Sequence, residues 1–117
     1  MSLATDWLKS AELQLKSGLI KDSYEGPIVD LLELCSQSPR NALDVIYEII
    51  STNPSEEILG YLGAGPLEEI LVSNCEKFID ELIDRSKNDK RLLFCLRSVD
   101  LDDSGCVHAQ KLYDAIR

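Results

Sequence analysis

The chain of 117 residues carries 21 acidic against 12 basic residues, which gives a formal net charge of −9. A chain of this length forms one domain, residues 1–117. It buries roughly two thirds of its unfolded surface, so its core does not require disulfides or a bound metal for stability. Aromatic residues amount to 6% of the sequence, so the core must consist mainly of Leu and Ile. The acidity disfavours direct binding to nucleic acid, because carboxylates repel phosphates.

The first half of the chain contains three apolar stripes at helical spacing. Thr5 is the predicted cap of the first helix. Pro27 and Pro39 mark the starts of the second and third, because the first helical turn tolerates proline well. The inward-facing residues predicted for these helices are Trp7, Leu8, Ala11 and Leu15; Ile28, Leu31, Leu32 and Cys35; and Ala42, Val45, Ile46, Ile49 and Ile50.

The rest of the chain continues the same helical periodicity. Predicted helices begin after Pro54, at Pro66 and at Asn74, and two more close the chain. Their apolar faces are Ile58, Leu59 and Leu62; Leu67, Ile70 and Leu71; Phe78, Ile79, Leu82 and Ile83; Leu92, Leu93 and Leu96, followed by Val99; and Val107, Leu112, Tyr113 and Ile116. No segment shows the alternation of apolar and polar residues that is typical of a β-strand. We therefore expect an all-α fold of six to eight short helices packed as antiparallel hairpins, with a HEAT-like curved bundle as one arrangement.

The four prolines form two pairs, Pro27 with Pro39 and Pro54 with Pro66, that are separated by 27 residues. Such a spacing is typical of stacked helical repeats. The residues between the prolines match poorly, so the sequence leaves open whether the two units are a true repeat.

The most specific string in the chain, residues 62–71, is Leu-Gly-Ala-Gly-Pro-Leu-Glu-Glu-Ile-Leu. It predicts a corner between two helices. Gly63 can adopt the left-handed conformation that ends one helix, and Gly65 with Pro66 can open the next. One turn earlier, Gly60 offers a place where two helix backbones could approach closely.

This string resembles the hallmark of a family of short, acidic, mostly bacterial proteins whose biochemical function is undefined. The segments 38–50 and 78–99 also resemble that family, so the resemblance covers about residues 27–99. Cys75 stands where the family has a glycine turn, and Asp100 stands where an aromatic residue is common. The resemblance implies a helical core and supplies no catalytic residues.

Residues 22–84 hold fourteen Asp and Glu against two basic residues, Arg40 and Lys77, which gives this segment a net charge of −12. Carboxylates recur three or four residues apart, as at Asp44 and Glu48, so helix formation turns them outward together. A field of this sign favours a basic macromolecule as the partner. The alternative is a solvated acidic face that serves only solubility.

Four cysteines, Cys35, Cys75, Cys95 and Cys106, stand singly among apolar residues without the spacing of zinc ligands. We expect buried, reduced thiols in a cytoplasmic protein. The amino terminus lacks the basic start and apolar run of a signal peptide, and no stretch approaches the ~20 apolar residues that span a bilayer. The sequence therefore predicts a protein without a membrane partner.

No catalytic constellation stands out. His108 is the only histidine, and no Ser or Cys motif places a nucleophile beside a base. Residues 100–111 resemble an EF-hand loop, but Lys111 occupies the twelfth position, where calcium needs a bidentate carboxylate. We therefore expect a protein that is not an enzyme and that binds neither a metal nor a cofactor.

These features predict a non-catalytic binding protein. The leading hypothesis is an immunity or antitoxin-type inhibitor that blocks the basic active site of a nuclease toxin with an acidic helical surface. The overall profile is similar to that of contact-dependent-inhibition and nuclease-toxin immunity proteins. The predicted contact residues are Asp30, Glu33, Asp44, Glu48, Glu56, Glu57 and Tyr61, with Tyr47 as a second candidate for an exposed aromatic anchor. A helical adaptor between protein partners is the alternative, and an enzyme of unknown chemistry is the third.

Overall fold

A computed structural model of the chain describes residues 2–17, 26–102 and 108–116, with the side chains of Ser17 and Cys75 left out. Within these ranges the fold consists of α-helices and one π-helical turn and contains no strand, so the all-α prediction is confirmed. The seven α-helices of the described ranges are α1 (Leu3–Ser17), α2 (Pro27–Gln37), α3 (Pro39–Ser51), α4 (Glu56–Leu62), α5 (Glu68–Ser86), α6 (Lys90–Arg97) and α7 (Ala109–Ile116), and the π-helix (Gly63–Leu67) lies between α4 and α5.

Several helix starts follow from local chemistry, as predicted. Pro27 and Pro39 occupy the first turns of α2 and α3. Ser55 caps α4, because its hydroxyl oxygen accepts a hydrogen bond of 3.3 Å from the backbone N–H of Ile58. A carboxylate oxygen of Asp89 caps α6 by accepting from the backbone N–H groups of Arg91 and Leu92, although the sequence analysis predicted no cap there.

Two details of the helices differ from the prediction. Helix α1 begins before Thr5, and the hydroxyl oxygen of Ser2 accepts a hydrogen bond from the backbone N–H of Thr5 at 3.2 Å, so the cap predicted at Thr5 was wrong. Leu15, predicted to face inward, is 39% exposed. The helix start predicted at Asn74 agrees with the structure, because Asn74 has a non-helical backbone, with φ −141 and ψ 38, at a kink that divides α5 into two helical stretches.

The predicted corner at Gly63 is also wrong. Gly63 has φ −68 and ψ −47, which is right-handed helical geometry, and the chain passes from α4 through the π-helix into α5. Pro66 therefore lies inside a continuous helical path rather than at a helix start. A proline ring in an α-helix collides with the carbonyl four residues earlier, and the wider π turn accommodates such an interruption.

Gly63 is required by packing rather than by its backbone angles. A Cβ atom at this position would lie 2.0 Å from the carbonyl oxygen of Cys95 and 2.8 Å from its carbonyl carbon. A Cβ atom at Gly60 would meet only the side chain of Ser98, at an ordinary 3.6 Å. The close approach that we predicted at Gly60 therefore occurs one turn later, where the π-helix crosses α6.

The π-helix forms the centre of the molecule, because it contacts α2, α3, α4, α5 and α6. Its Pro66 carbonyl accepts a hydrogen bond from the buried Cys35 thiol at 3.4 Å. Helix α1 packs on α2, α3 and α4 and contains the fully buried Trp7. Pro27 and Pro39 open helices whereas Pro66 lies within one, so the two proline pairs are not structurally equivalent and do not mark a repeat.

Candidate binding surface

The six predicted carboxylates are all exposed and come from three helices. Asp30 and Glu33 lie on α2, Asp44 and Glu48 on α3, and Glu56 and Glu57 on the first turn of α4. Helices α2 and α3 pack directly against each other, whereas α4 packs against α1, the π-helix and α6. The predicted surface therefore has two parts, one on the α2–α3 pair and one at the start of α4.

Tyr61, the predicted aromatic anchor, is only partly exposed. Its ring centroid lies 5.6 Å from that of Trp7, and its hydroxyl donates a hydrogen bond of 2.8 Å to the side-chain oxygen of Gln14. These contacts join α4 to α1. A partner could therefore reach only the exposed remainder of the ring.

Five polar side chains connect α3 to α5, and we call them the α3–α5 cluster: Arg40, Asp44, Tyr47, Glu81 and Arg85. The Arg40 guanidinium donates to both carboxylate oxygens of Glu81, at 2.6 and 2.9 Å, and to Asp44 at 3.2 Å. The Tyr47 hydroxyl donates to Glu81 at 2.8 Å. The guanidinium of Arg85 lies 3.8 Å from the centroid of the Tyr47 ring. Tyr47, the second candidate anchor, is therefore half-buried and engaged within the fold.

The electrostatics of this cluster favour its charged form. The hydrogen bond from Arg40 holds the pKa of Glu81 below its usual value, and the hydrogen bond from Tyr47 adds to this effect against the opposing effect of burial. Burial, followed by the hydrogen bond to Glu81, raises the pKa of Tyr47. At neutral pH the cluster therefore contains an ionised carboxylate, a neutral phenol and two guanidinium groups.

Asp80, Cys35 and Cys95 lack the properties of a catalytic acid or nucleophile. The hydrogen bond from Lys111 lowers the pKa of Asp80, which keeps that exposed carboxylate ionised. Burial raises the pKa of the Cys35 and Cys95 thiols to about 12, so both stay protonated and unreactive. These two cysteines are free and buried, as predicted. Cys106 lies outside the described residues.

Metal-binding and membrane-spanning features are absent from the part of the chain that the structure describes. It contains no group of three or more His, Cys, Asp or Glu that could hold a metal ion. None of its helices combines the length and apolar character needed to cross a bilayer. Residues 103–107 of the EF-hand-like loop lie outside the described ranges.

A groove of about 490 Å³ lies beside the carboxyl-terminal helix, between Arg97 and Tyr113. The Tyr113 hydroxyl donates to Asp102 at 3.1 Å and accepts from the backbone N–H of Leu101 at 2.7 Å. A second groove, of about 220 Å³, contains Glu57 of the predicted surface. The described walls of the two grooves contain no histidine or cysteine. The serine of the second groove, Ser55, caps α4 by accepting the hydrogen bond from the backbone N–H of Ile58.

The sequence analysis missed the α3–α5 cluster. The spacing of four residues between Arg40 and Asp44, and between Glu81 and Arg85, is a signal that could have indicated pairs on one helix. The pairing of Arg40 with Glu81 joins residues 41 apart in sequence. It depends on how α3 packs on α5, which the local pattern does not specify.

The Glu81 ion pair predicts a pH-dependent contribution to stability. Because the folded pKa of Glu81 lies below its ordinary value of 4.5, the pair stabilises the fold above that value and loses its effect as the pH falls through the folded pKa. Glu81→Gln should cost no more than about 1 kcal/mol at neutral pH, because both partners are well exposed. Urea unfolding should show a difference at pH 7 that shrinks as the pH is lowered below 4.5 and is lost below the folded pKa of Glu81.

The matched control for this experiment is Glu76→Gln, which neutralises an exposed carboxylate on the same helix. It should leave the free energy of unfolding nearly unchanged at neutral pH. If Glu81→Gln and Glu76→Gln had equal effects at every pH, the ion pair would contribute nothing specific.

These observations define a small all-α fold with an exposed acidic surface and, among its described residues, no group of three or more side chains that could hold a metal ion. The chain belongs to a family of unknown function, DUF6869, whose family model matches residues 26–104. The match covers the whole segment 27–99 for which the sequence suggested a family of undefined function. No curated protein sequence and no solved structure shows a significant match to the chain.

Proposed function

We propose that this protein is a non-catalytic inhibitor of the immunity or antitoxin type, which blocks the basic active site of a nuclease toxin with its acidic helical surface. The observation that carries the proposal is the net charge of −12 over residues 22–84, larger than the −9 of the whole chain. The six carboxylates predicted to contact the partner are all exposed on helices of that segment.

The physical basis is charge complementarity. A nuclease binds the phosphates of its substrate with basic residues, and exposed carboxylates can take the place of those phosphates. A field of one sign also speeds the encounter with an oppositely charged partner, by up to ~1,000-fold at low salt. Because these residues lie on helices, their backbone is ordered before binding, which limits the entropy lost on association to that of the side chains.

The chemistry of the described residues supports a binding role rather than catalysis. The two carboxyl groups whose pKa values are displaced, Asp80 and Glu81, both have lowered values, so they are poor proton donors. The Cys35 and Cys95 thiols are buried and protonated. An inhibitor needs neither a proton donor nor a nucleophile.

Reversal of the acidic surface tests the proposal. A variant with Asp44, Glu48, Glu56 and Glu57 all changed to Lys should associate with the cognate toxin at least about 100-fold more slowly at low salt and should no longer inhibit it. The toxin would first be identified as a basic protein that is co-purified at low salt, released at high salt and toxic when produced alone. Stopped-flow association and a nuclease assay provide the measurements.

Two pairwise variants locate the effect and a third controls for net charge. Asp44→Lys with Glu48→Lys changes the α3 part of the surface, and Glu56→Lys with Glu57→Lys changes the α4 part. Changing Glu12 and Asp114, which are exposed on α1 and α7, to Lys alters the net charge equally. If this control pair weakened inhibition as much as the other pairs, the predicted surface would be rejected. Circular dichroism confirms that each variant is folded.

The second candidate function is a helical adaptor that binds protein partners through apolar contacts. The exposed side chains of Leu13 (68%) and Val72 (43%) favour it. An adaptor of this kind should hold its partners at high salt, because salt screens ion pairs but not apolar contacts. Retention of the same partner at low and high salt would therefore favour the adaptor over the inhibitor.

A further inference from the structure

The α3–α5 cluster binds a guanidinium group within the protein. Glu81 engages Arg40 through two parallel hydrogen bonds, and Asp44 accepts a third. The Arg40 guanidinium also lies 5.7 Å from the centroid of the Phe78 ring. A bidentate carboxylate, a second carboxylate and an aromatic ring are the groups with which proteins recognise an arginine side chain.

The other parts of this site are held independently of Arg40. The Tyr47 hydroxyl orients Glu81 through its hydrogen bond of 2.8 Å, and Arg85 covers the Tyr47 ring. Phe78 is buried and keeps its place in the core. Removal of the Arg40 side chain would therefore leave a preformed carboxylate and ring rather than a collapsed surface.

Arg40 itself is held loosely enough to leave. Its side chain is 46% exposed, and the side chains of Asp44 and Glu81 are 63% and 37% exposed. Ion pairs at such exposure open readily, because water solvates the separated charges well. Two other cations lie at this site but contact rings: Lys77 Nζ is 5.5 Å from the centroid of the Phe78 ring, and Arg85 lies over the Tyr47 ring. Arg40 is the cation that Glu81 holds through two hydrogen bonds.

We infer that the α3–α5 cluster is a recognition site for an arginine side chain, which Arg40 occupies in the free protein and which an arginine of the basic partner takes over on binding. The identity of that partner rests on the proposed function, whereas the existence of the site does not. Arg40 would then act as an internal competitor that lowers the affinity of the surface for other cationic groups.

A purely structural role for Arg40 is the alternative, in which the residue only ties α3 to α5. Both interpretations predict that Arg40→Ala lowers stability slightly. They differ in what they predict for Arg40→Ala. A recognition site should bind an arginine compound from solution where the Arg40 side chain was, whereas an ion pair that only connects α3 to α5 should not.

The test is an NMR titration of the uniformly 15N-labelled full chain with N-acetyl-arginine methylamide, compared with its lysine counterpart. In Arg40→Ala the arginine compound should produce saturable shifts at α3 and α5 around Tyr47 and Glu81. Its affinity should exceed that for the native protein by about 5-fold, the factor equivalent to ~1 kcal/mol, because an exposed ion pair competes by roughly that amount. The lysine compound, which cannot bind in the bidentate manner, should bind more weakly.

Two controls make the result specific. Lys90→Ala removes the same charge from the first residue of α6 and should leave the affinity at the native level. Adding Glu81→Gln to Arg40→Ala should abolish the saturable shifts. If the Arg40→Ala variant were too unstable to purify, Arg40→Gln would replace it, because that substitution also removes the positive charge.

Equal shifts in Arg40→Ala and in the Arg40→Ala, Glu81→Gln double variant would overturn the inference, as would equal affinities of Arg40→Ala and the native protein. Neither outcome involves a toxin, so each would leave the proposed inhibitor function standing. Conversely, a positive titration together with failure of the charge-reversed surface to affect toxin binding would retain the arginine site and reject the inhibitor.

Discussion

Replacing Gly63 with Ala should destabilise the protein by about 3 kcal/mol or more, because overpacking against an immobile group lies at the upper end of the cost of core insertions. The added Cβ would lie 2.0 Å from the Cys95 carbonyl oxygen. That oxygen belongs to the backbone of α6 and cannot rotate away as a side chain could. The π-helix and α6 would have to separate, which opens the centre of the core. Urea unfolding monitored by circular dichroism measures the loss.

The chain offers matched controls at neighbouring glycines. A Cβ at Gly65 would lie 3.9 Å from the ring of Tyr61, and one at Gly60 would lie 3.6 Å from the Ser98 hydroxyl oxygen, so neither collides. Gly60→Ala should be neutral or stabilising by up to ~1 kcal/mol, because Ala favours the helix that Gly60 occupies. Equal stability of the Gly63→Ala and Gly60→Ala variants would show that the close approach to α6 is not needed.

Replacing Trp7 with Ala should cost about 3–5 kcal/mol, the range found when large aromatic side chains are removed from protein cores. Trp7 is fully buried, and its ring lies 5.6 Å from that of Tyr61. Helix α1 packs on α2, α3 and α4, so the resulting cavity would loosen the contact of α1 with all three helices. The midpoint of urea unfolding and protection of α1 amides from hydrogen exchange report the effect.

Two substitutions on the same helix serve as controls for the loss of stability in Trp7→Ala. Trp7→Phe retains a ring in the core and removes the indole N–H, which is buried and has no hydrogen-bond partner among the described residues, so it should cost less than Trp7→Ala. Leu13 is 68% exposed, and Leu13→Ala should change stability by no more than about 0.5 kcal/mol. A larger loss at Leu13 than at Trp7 would mean that α1 packs through another face.

The helix starts could be predicted because the signals for them are local. Pro27 and Pro39 lie in the first turns of the helices that they begin, and Ser55 caps the helix predicted to begin after Pro54, so these three helix starts are confirmed. The function of Gly63 was predicted wrongly because it depends on Cys95, a residue 32 positions further along the chain. The sequence alone does not distinguish a glycine that permits close packing from a glycine that ends a helix.

The candidate surface was predictable to a similar extent. Helical periodicity correctly places carboxylates such as Asp44 and Glu48 on exposed positions, because they lie opposite the apolar stripe of α3. Periodicity does not determine which helices are neighbours. It therefore gave no indication that α4 packs away from α2 and α3, or that Arg40 reaches Glu81 on α5.

The π-helix also determines the angular phase between the halves of the chain on either side of it. Each residue of an α-helix turns the chain by about 100°, and a π turn contains about one residue more than an α turn. Because the π turn takes up this extra residue, α5 keeps the angular phase in which Ile70 and Leu71 are buried. Rewinding the same residues 63–67 as a regular α-helix would rotate α5 by about 100° and turn those two side chains out of the core. Deleting one residue together with the π turn would restore the phase, so the length of this segment and its helix type are coupled.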